Sequence, residues 1–228
     1  MPEGLIEPRR DHYRQIRART MLVNDVVLRT IPRFVVLNAA RALGLARGEK
    51  LVLESEFDQH CLMERSLHDE LWLGKNAIAH FRASEALKAL DPEQRAALDA
   101  LAGARFSVFL LESTDPQRGC LYLRDVRTDD VLEVMDLNLS MTATPGVLFA
   151  TRVFEVEGIR LTTGVTYSFD PEHQDLLLEG LRRRRGAGRR TRPPSQGDWT
   201  AYVYRRYRRL GRGVCMTAPV VPAPAHLR

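Results

Sequence analysis

The chain has 228 residues, of which 44% are hydrophobic and 28% are charged. This composition is that of an ordinary soluble protein, and the length is enough for one sizeable core or two small ones. No run approaches the roughly 18 apolar residues that a membrane span needs, and the N-terminus does not have the pattern of a secretory signal. We therefore exclude a membrane protein and expect a cytoplasmic location.

The net charge of +5 is distributed unevenly along the chain. Twelve arginines and a single acid, Asp198, fall between Arg182 and Arg212, so this segment carries +11 and the rest of the chain carries −6. An acidic body with a cationic arm predicts a polyanion as the partner of the arm.

The three cysteines, Cys61, Cys120 and Cys215, are an odd number and are widely spaced. They form no Cys-x-x-Cys pair, which argues against a disulfide framework and against a structural zinc site. This cysteine usage is typical of a reducing compartment and agrees with a cytoplasmic location.

The first half of the chain is predicted to be helical, because apolar residues recur at helical spacing between glycine and proline breaks. The clearest helix start is Asp91-Pro92-Glu93, which offers an N-cap, a proline at the first helical position and an acid in the first turn. The helix that begins at residue 33 is expected to stop near Gly44 or Gly48. The predicted elements are helices over residues 8–31, 33–45, 55–72 and 76–90 and after Asp91, with a short strand at residues 51–53.

After Gly103 the pattern changes to short runs rich in Val, Leu, Phe and Tyr, joined by segments with turn chemistry. The predicted strands are residues 105–112, 120–126, 131–136, 147–156 and 159–169. Five strands at hairpin spacing predict a small antiparallel sheet or a partly closed barrel, of the size of OB-like or SH3-like modules. The order of the strands stays open at this point.

Asp170-Pro171-Glu172 has the same helix-start pattern as Asp91-Pro92-Glu93. The helix that it begins is expected to end in a cluster of arginines. Glycines and prolines over residues 186–197 predict a linker, after which Asp198 is expected to cap a last short helix. The sequence therefore predicts an α+β protein with a helical region, a five-stranded module and a C-terminal helix with a basic arm. The predicted divisions are residues 1–103, 104–181 and 182–228, the last with a partly disordered end.

Three strand and turn motifs carry a resemblance to known proteins. They are Arg105-Phe-Ser-Val-Phe-Leu-Leu-Glu112, Gly119-Cys-Leu-Tyr-Leu-Arg-Asp-Val126 and Thr144-Pro-Gly-Val-Leu-Phe-Ala150, preceded by an acidic helical stretch at residues 64–70. Residues 51–169 resemble a group of uncharacterised bacterial proteins, some of which end in a Cys-rich SEC-C zinc segment. The resemblance implies a helical N-terminal region that is followed by a small β-module. It implies no activity. This chain lacks clustered cysteines, so the zinc segment is absent.

The arm is the main candidate for function. Its arginines alternate with glycines or aromatic residues, which suits bidentate phosphate contacts and stacking on unpaired bases. We therefore predict a non-catalytic accessory protein that binds RNA or single-stranded DNA without a cofactor or metal. The candidate binding residues are Arg182, Arg183, Arg184, Arg185, Arg189, Arg190, Arg192, Arg205, Arg206, Arg208, Arg209, Trp199, Tyr202 and Tyr207.

Two alternatives stay open. One is a protein-interaction module whose partner is another protein, with an arm that is only a solvated tail. The other is a metal-dependent hydrolase, because His60, Glu64 and His68 recur every four residues on one predicted helix and Asp58 or Asp69 offers a further ligand. The sequence does not predict the oligomeric state.

Overall fold

The structure is a computed structural model that describes residues 6–186 and 195–210, and the side chains of residues 7–180 and 195–210. Its helices are α1 (Ile6–Leu28), α2 (Arg33–Leu43), α3 (Glu56–His68), α4 (Ala77–Arg82), α5 (Pro92–Ala102), α6 (Leu137–Thr142), α7 (Gln174–Gly186) and α8 (Gln196–Leu210). Its strands are β1 (Ala46–Arg47), β2 (Lys50–Leu51), β3 (Arg105–Asp115), β4 (Cys120–Asp125), β5 (Val131–Met135), β6 (Leu148–Val156) and β7 (Ile159–Phe169). Short 3-10 helices cover Glu85–Ala89 and Pro171–His173. None of the described helices has the length and hydropathy that crossing a membrane requires.

The predicted α+β class is confirmed, and local capping chemistry explains why the helix boundaries were predictable. The Asp91 side chain accepts from the Gln94 N–H and the Gln94 side chain accepts from the Asp91 N–H, so α5 begins with a complete capping box. Helix α2 ends at Gly44, whose φ of 80° is a left-handed conformation that glycine adopts readily. Ser55 caps α3 by accepting from the Asp58 N–H.

Strands β3 to β7 form a closed barrel in the order β3-β4-β5-β7-β6. Neighbouring strands are antiparallel except β5 and β7, which pair in parallel at Met135 and Leu161. The sheet is therefore mixed, and the prediction of a purely antiparallel sheet is wrong. The physical reason is helix α6, which the sequence analysis did not predict. It separates β5 from the β6–β7 hairpin, so that this hairpin closes the barrel between β5 and β3.

The connectivity of the barrel is that of an OB-fold: three meandering strands, a helix, and a hairpin inserted between the third strand and the first. Apolar side chains fill the interior, among them Phe109, Leu121 and Val134. Because side chains occupy the interior of this small barrel, a ligand would bind on its outer surface.

Helices cover most of the outer barrel surface in two groups. Helices α2, α3 and α8 pack against outward residues of β3, β6 and β7, such as Phe106, Leu148 and Tyr167. Helices α1, α4 and α5 pack around the β6–β7 turn, against residues such as Phe154 and Leu161. The outward side chains in the middle of β4 and β5 stay partly exposed, so this face is the side of the barrel that the helices leave open.

Candidate functional site

Parts of the predicted arm belong to the end of α7 and to α8, and the rest, residues 187–194 and 211–228, is not described. Helix α8 begins close to the predicted place, with Ser195 as its N-cap. Ser195 Oγ accepts from the Asp198 N–H, and Asp198 Oδ2 accepts from the Ser195 N–H, so Asp198 is the second member of a capping box. The predicted binding residues that lie outside the described side chains are Arg182, Arg183, Arg184, Arg185, Arg189, Arg190 and Arg192.

The aromatic residues of α8 belong to the protein core. Trp199 and Tyr202 are 6% and 9% exposed, and their rings stack with centroids 5.5 Å apart. Tyr207 is half-buried, with its ring edge-on to Tyr167 at 5.5 Å and to Phe169 at 5.9 Å. All three predicted base-stacking residues therefore pack against protein, and base stacking by them finds no support in this geometry.

Two arginines of α8 fasten the helix to its neighbours. Arg205 Nη1 donates to the Ala42 carbonyl near the C-terminus of α2 at 2.6 Å. Arg208 forms an ion pair with Glu54, which precedes α3. Both contacts fix the last turns of α8 against the body of the protein.

The other two arginines of α8 have no carboxylate partner among the described residues. The Arg206 guanidinium lies 5.4 Å from the centroid of the Tyr202 ring, and Arg209 is exposed. Because helical residues three or four positions apart share a face, Arg205, Arg208 and Arg209 form a continuous cationic row on the outer side of α8.

The open face of β4 and β5 is the second candidate surface. Tyr122 points outward because its neighbours Leu121 and Leu123 fill the barrel interior. The Tyr122 hydroxyl accepts from Arg118 Nη1 at 2.8 Å, and Arg118 also pairs with Glu133 at 3.0 Å. In OB-fold proteins the face of the second and third strands binds oligonucleotides and oligosaccharides, and β4 and β5 are the corresponding strands here.

Carboxylates neutralise the cations of this open barrel face. Glu133 also pairs with Arg9 of α1 at 2.6 Å. Arg124 pairs with Glu112 at 2.6 Å and with Asp129 at 3.1 Å. The open barrel face therefore presents paired charges, in contrast to Arg206 and Arg209 of α8.

A buried charge cluster of Glu64, Asp69 and Arg152 joins α3 to the barrel. Arg152 lies on β6 with its side chain 1% exposed, and its Nη2 donates to Asp69 Oδ1 at 2.8 Å. Arg152 Nε lies 3.4 Å from Glu64 Oε1, and Thr163 Oγ1 donates to Glu64 Oε2 at 2.7 Å. One guanidinium thus holds two carboxylates at the helix–barrel interface. The sequence analysis did not single out Arg152.

Burial changes the acid–base properties around this cluster. It raises the pKa of Glu64 to about 7, although Arg152 acts in the opposite direction. Burial and, to a smaller extent, Arg152 hold the pKa of His68 well below its usual value, so its imidazole is neutral at pH 7. A carboxyl group that titrates near neutrality suits general acid catalysis, but the Glu64 side chain is only 5% exposed. We therefore assign the buried charge cluster a structural role.

The structure does not bring His60, Glu64 and His68 together as a metal site, because the Glu64 carboxylate contacts Arg152 and Thr163 in the buried charge cluster. Among the described residues, one set of three possible ligands has all its ligand atoms within 4.8 Å of one another: Asp170, Glu172 and His173. These are sequence neighbours at the 3-10 helix before α7, where acidic groups commonly cluster without a metal. The hydrolase alternative therefore gains no support from the described residues.

Two of the three cysteines are buried and free, and neither has the properties of a nucleophile. Burial raises the pKa of both thiols, that of Cys120 to about 11 and that of Cys61 further. Both are therefore protonated near neutral pH, and the thiolate is the reactive form. Cys215 lies outside the described residues.

A sequence profile described as a family of unknown function (DUF7986) matches residues 7–216. The chain belongs to this family. The match includes the helical lead, the barrel and α8, so the DUF7986 profile describes all three parts together. Membership of a family of unknown function agrees with the predicted resemblance to uncharacterised proteins. Comparison with curated proteins and with solved structures gives no match.

Proposed function

We propose that the protein is a non-catalytic, cytoplasmic accessory protein that binds RNA or single-stranded DNA through the arginines of residues 182–212. The observation that carries this proposal is the division of α8 into a buried aromatic side and an outer row of Arg205, Arg208 and Arg209. The row is mounted on a helix that is packed into the core, so its spacing is fixed before a ligand arrives.

Electrostatics favour the arginines of α8 over those of the open barrel face. Arginines bind nucleic acid by displacing the counterions of phosphates, and an arginine that already holds a carboxylate gains less from doing so. Arg118 and Arg124 on the open barrel face each hold a carboxylate. On α8, Arg208 pairs with Glu54, whereas Arg206 and Arg209 hold no carboxylate among the described residues. The OB-type barrel supports the same class of ligand only as a fold-level analogy.

The test compares full-length variants that lose arginines in different places, so that the fold is kept. The first variant replaces Arg206 and Arg209 by Gln, and a control replaces Arg14 and Arg95, which are exposed on α1 and α5. Binding to a fluorescent RNA of about 20 nucleotides, long enough for one site, is measured by anisotropy between about 50 and 200 mM salt. A second variant replaces the arginines whose side chains are not described: Arg182, Arg183, Arg184, Arg185, Arg189, Arg190 and Arg192.

Each lost phosphate contact lowers the slope of log affinity against log salt by about 0.7 for a single strand. We therefore expect the first variant to lower the slope by up to about 1.4, the second by up to about 5, and the control not at all. Absence of binding by the parent protein, or an equal loss in the control, overturns the proposal. A loss confined to a variant with Arg118→Gln and Arg124→Gln would also overturn it and place the contact on the open barrel face.

A further inference from the structure

Phe34 is the one Phe, Tyr or Trp residue that is exposed among the residues that the structure describes, and these include every such residue of the chain. Phe34 is 55% exposed, whereas each of the others is buried or half-buried. It lies in the first turn of α2. A single exposed apolar residue is common on protein surfaces, so its surroundings decide what it indicates.

Cations accompany Phe34 on the exposed side of α2. Arg33 precedes it, and Arg41 lies seven positions after it, which places Phe34 and Arg41 on the same side of the helix. Both arginines are exposed, and neither holds a carboxylate among the described residues. Arg41 donates to the neutral side chain of Asn38 at 3.2 Å. The exposed side of α2 therefore combines an aromatic ring with two cations whose charge is not neutralised.

The β1–β2 hairpin that follows α2 adds two further cations. Arg47 and Lys50 are opposite each other in its register, so their side chains lie on the same face. Both are exposed, and neither forms an ion pair among the described residues. Like charges directly opposite each other are destabilising in an antiparallel pair, and a bound anion would relieve this repulsion. Glu49, in the turn, is the one acid that residues 33–51 contain, against four cations.

A groove of about 440 Å³ separates α2 from the hairpin. Arg33 lines it from α2, and Lys50 lines it from the hairpin, with Glu49 beside Lys50. Its apolar lining comes from Val36, Leu37 and Leu51. An apolar floor between cations fits a ligand that has both flat apolar faces and negative charges, which is the chemistry of an unpaired nucleotide.

Helix α8 holds its arginines beside this surface. Arg205 Nη1 donates to the Ala42 carbonyl, just before the hairpin, and Arg208 pairs with Glu54, just after it. The two contacts hold α8 against both ends of the segment that contains the hairpin, residues 46–51. The cations of α2 and of the hairpin therefore lie next to those of α8.

We propose that Phe34 stacks on an unpaired base of a bound nucleic-acid strand, whose phosphates contact Arg33 and Arg41 of α2 and Arg47 and Lys50 of the hairpin. This inference rests on the proposed function, because it extends the path of the strand from α8 onto the body of the protein. The strand is single at this point, since the bases of a duplex stack on one another and leave no face for Phe34. Four cations against one acid favour a polyanion over a protein as the partner.

The first test measures binding of the full-length protein to a fluorescent single-stranded RNA of about 20 nucleotides by anisotropy. Phe34→Leu keeps an apolar side chain but removes the ring, and it should weaken binding by about 5- to 100-fold, the range for one stacked base. The slope of log affinity against log salt should not change, because no charge is lost. Met141→Ala is the matched control, since Met141 is 68% exposed on α6 and its loss should leave binding unchanged.

A second ligand separates stacking from a structural effect of the substitution. Inorganic polyphosphate offers phosphates without bases, so Phe34→Leu should bind it like the parent protein. Phe34→Trp keeps a ring for stacking and should bind the RNA at least as tightly as the parent. Its new indole is exposed, and stacking on a base should quench its fluorescence when RNA binds but not when polyphosphate binds.

Charge variants test the path of the phosphates. Replacing Arg33 and Lys50 together by Gln should lower the salt slope for the RNA by up to about 1.4, whereas Arg14→Gln with Arg95→Gln should not change it. Glu49→Gln should strengthen binding, because it removes the acid of the groove.

The outcomes distinguish this inference from the proposed function. A parent protein that does not bind the RNA overturns both. Binding that Phe34→Leu leaves unchanged, while the variant without Arg206 and Arg209 lowers the salt slope, overturns this inference alone. So does a Phe34→Leu variant that loses RNA and polyphosphate binding equally, because a disturbed α2 would affect both ligands.

Discussion

Replacing Arg152 by methionine is expected to be among the most destabilising single changes in this protein. Arg152 and Asp69 each have side chains only 1% exposed, and Glu64 is 5% exposed. Methionine fills much of the same space but leaves two carboxylates buried without their cation. Breaking a buried ion pair by removing one partner costs about 3–5 kcal/mol.

The contacts of Arg152 support a loss of that size. The hydrogen bond from Nη2 to Asp69 at 2.8 Å is charge-assisted, and such bonds contribute about 1.5–3 kcal/mol. The ion pair with Glu64 at 3.4 Å adds to it. Since a domain is stable by only about 5–15 kcal/mol, a loss of about 3–5 kcal/mol is about a fifth or more of the free energy of unfolding.

Urea unfolding at pH 7.5, followed by tryptophan fluorescence, measures the loss as a lower midpoint with an unchanged slope. The decisive control adds Glu64→Gln and Asp69→Asn to Arg152→Met, which removes all three charges at once. The triple variant should recover part of the loss, because it leaves no buried charge without its partner. A loss below about 1 kcal/mol for Arg152→Met, the size of an exposed ion pair, would refute the reasoning. So would a triple variant as unstable as the single one.

Three further predictions concern buried groups of α3. Because the pKa of folded Glu64 is raised to about 7, its contribution to stability falls as pH rises from about 4.5 to 7, so Glu64→Gln should remove this fall in a series of urea midpoints. The lowered pKa of His68 makes the free energy of unfolding fall as pH falls through about 6.5, because the unfolded chain takes up a proton that the folded chain does not. The His68→Asn variant lacks this imidazole and should therefore unfold at higher urea than the parent below pH 6. Equal midpoints would contradict this prediction. Tyr204→Phe removes the 2.7 Å hydrogen bond to buried Asp58 and should cost about 1–3 kcal/mol, measured as a lower urea midpoint; an unchanged midpoint would contradict this.

Helix starts and strand positions were predictable from sequence because their causes are local. Asp91, Pro92 and Gln94 lie within four residues, and together they define the start of α5. The parallel pairing of Met135 with Leu161 joins residues far apart in the chain, and no local pattern predicts it. Helix α6 did carry a local signal, since Asp136 caps it by accepting from the Leu139 N–H, but the helix is too short for apolar periodicity to stand out.

For the candidate site, too, the sequence predicts local features but not contacts between residues far apart in the chain. Arg152 interrupts an apolar strand, and a charge in that position indicates a buried partner. Its partner Asp69 lies 83 positions earlier, so only the fold identifies it. The aromatics of α8 were interpreted as base-stacking residues because of the arginines around them. Their spacing, with Trp199, Tyr202 and Val203 at helical positions, also indicates a helix face that packs against a core, and the structure places them there.

The burial of α8 changes how the arm is best tested, because truncation at Leu181 would remove part of the core along with the arginines. Val203 and Tyr204 are fully buried, and Trp199 and Tyr202 nearly so. Burial of four such side chains contributes about 6–12 kcal/mol as an upper estimate, which is comparable to the whole stability of a domain. We therefore expect the truncated chain to lack a cooperative unfolding transition by circular dichroism, whereas the full-length arginine-to-glutamine variants should keep it. A truncated chain that unfolds cooperatively near the parent midpoint would show that α8 is dispensable to the core and that the arm is a separate unit.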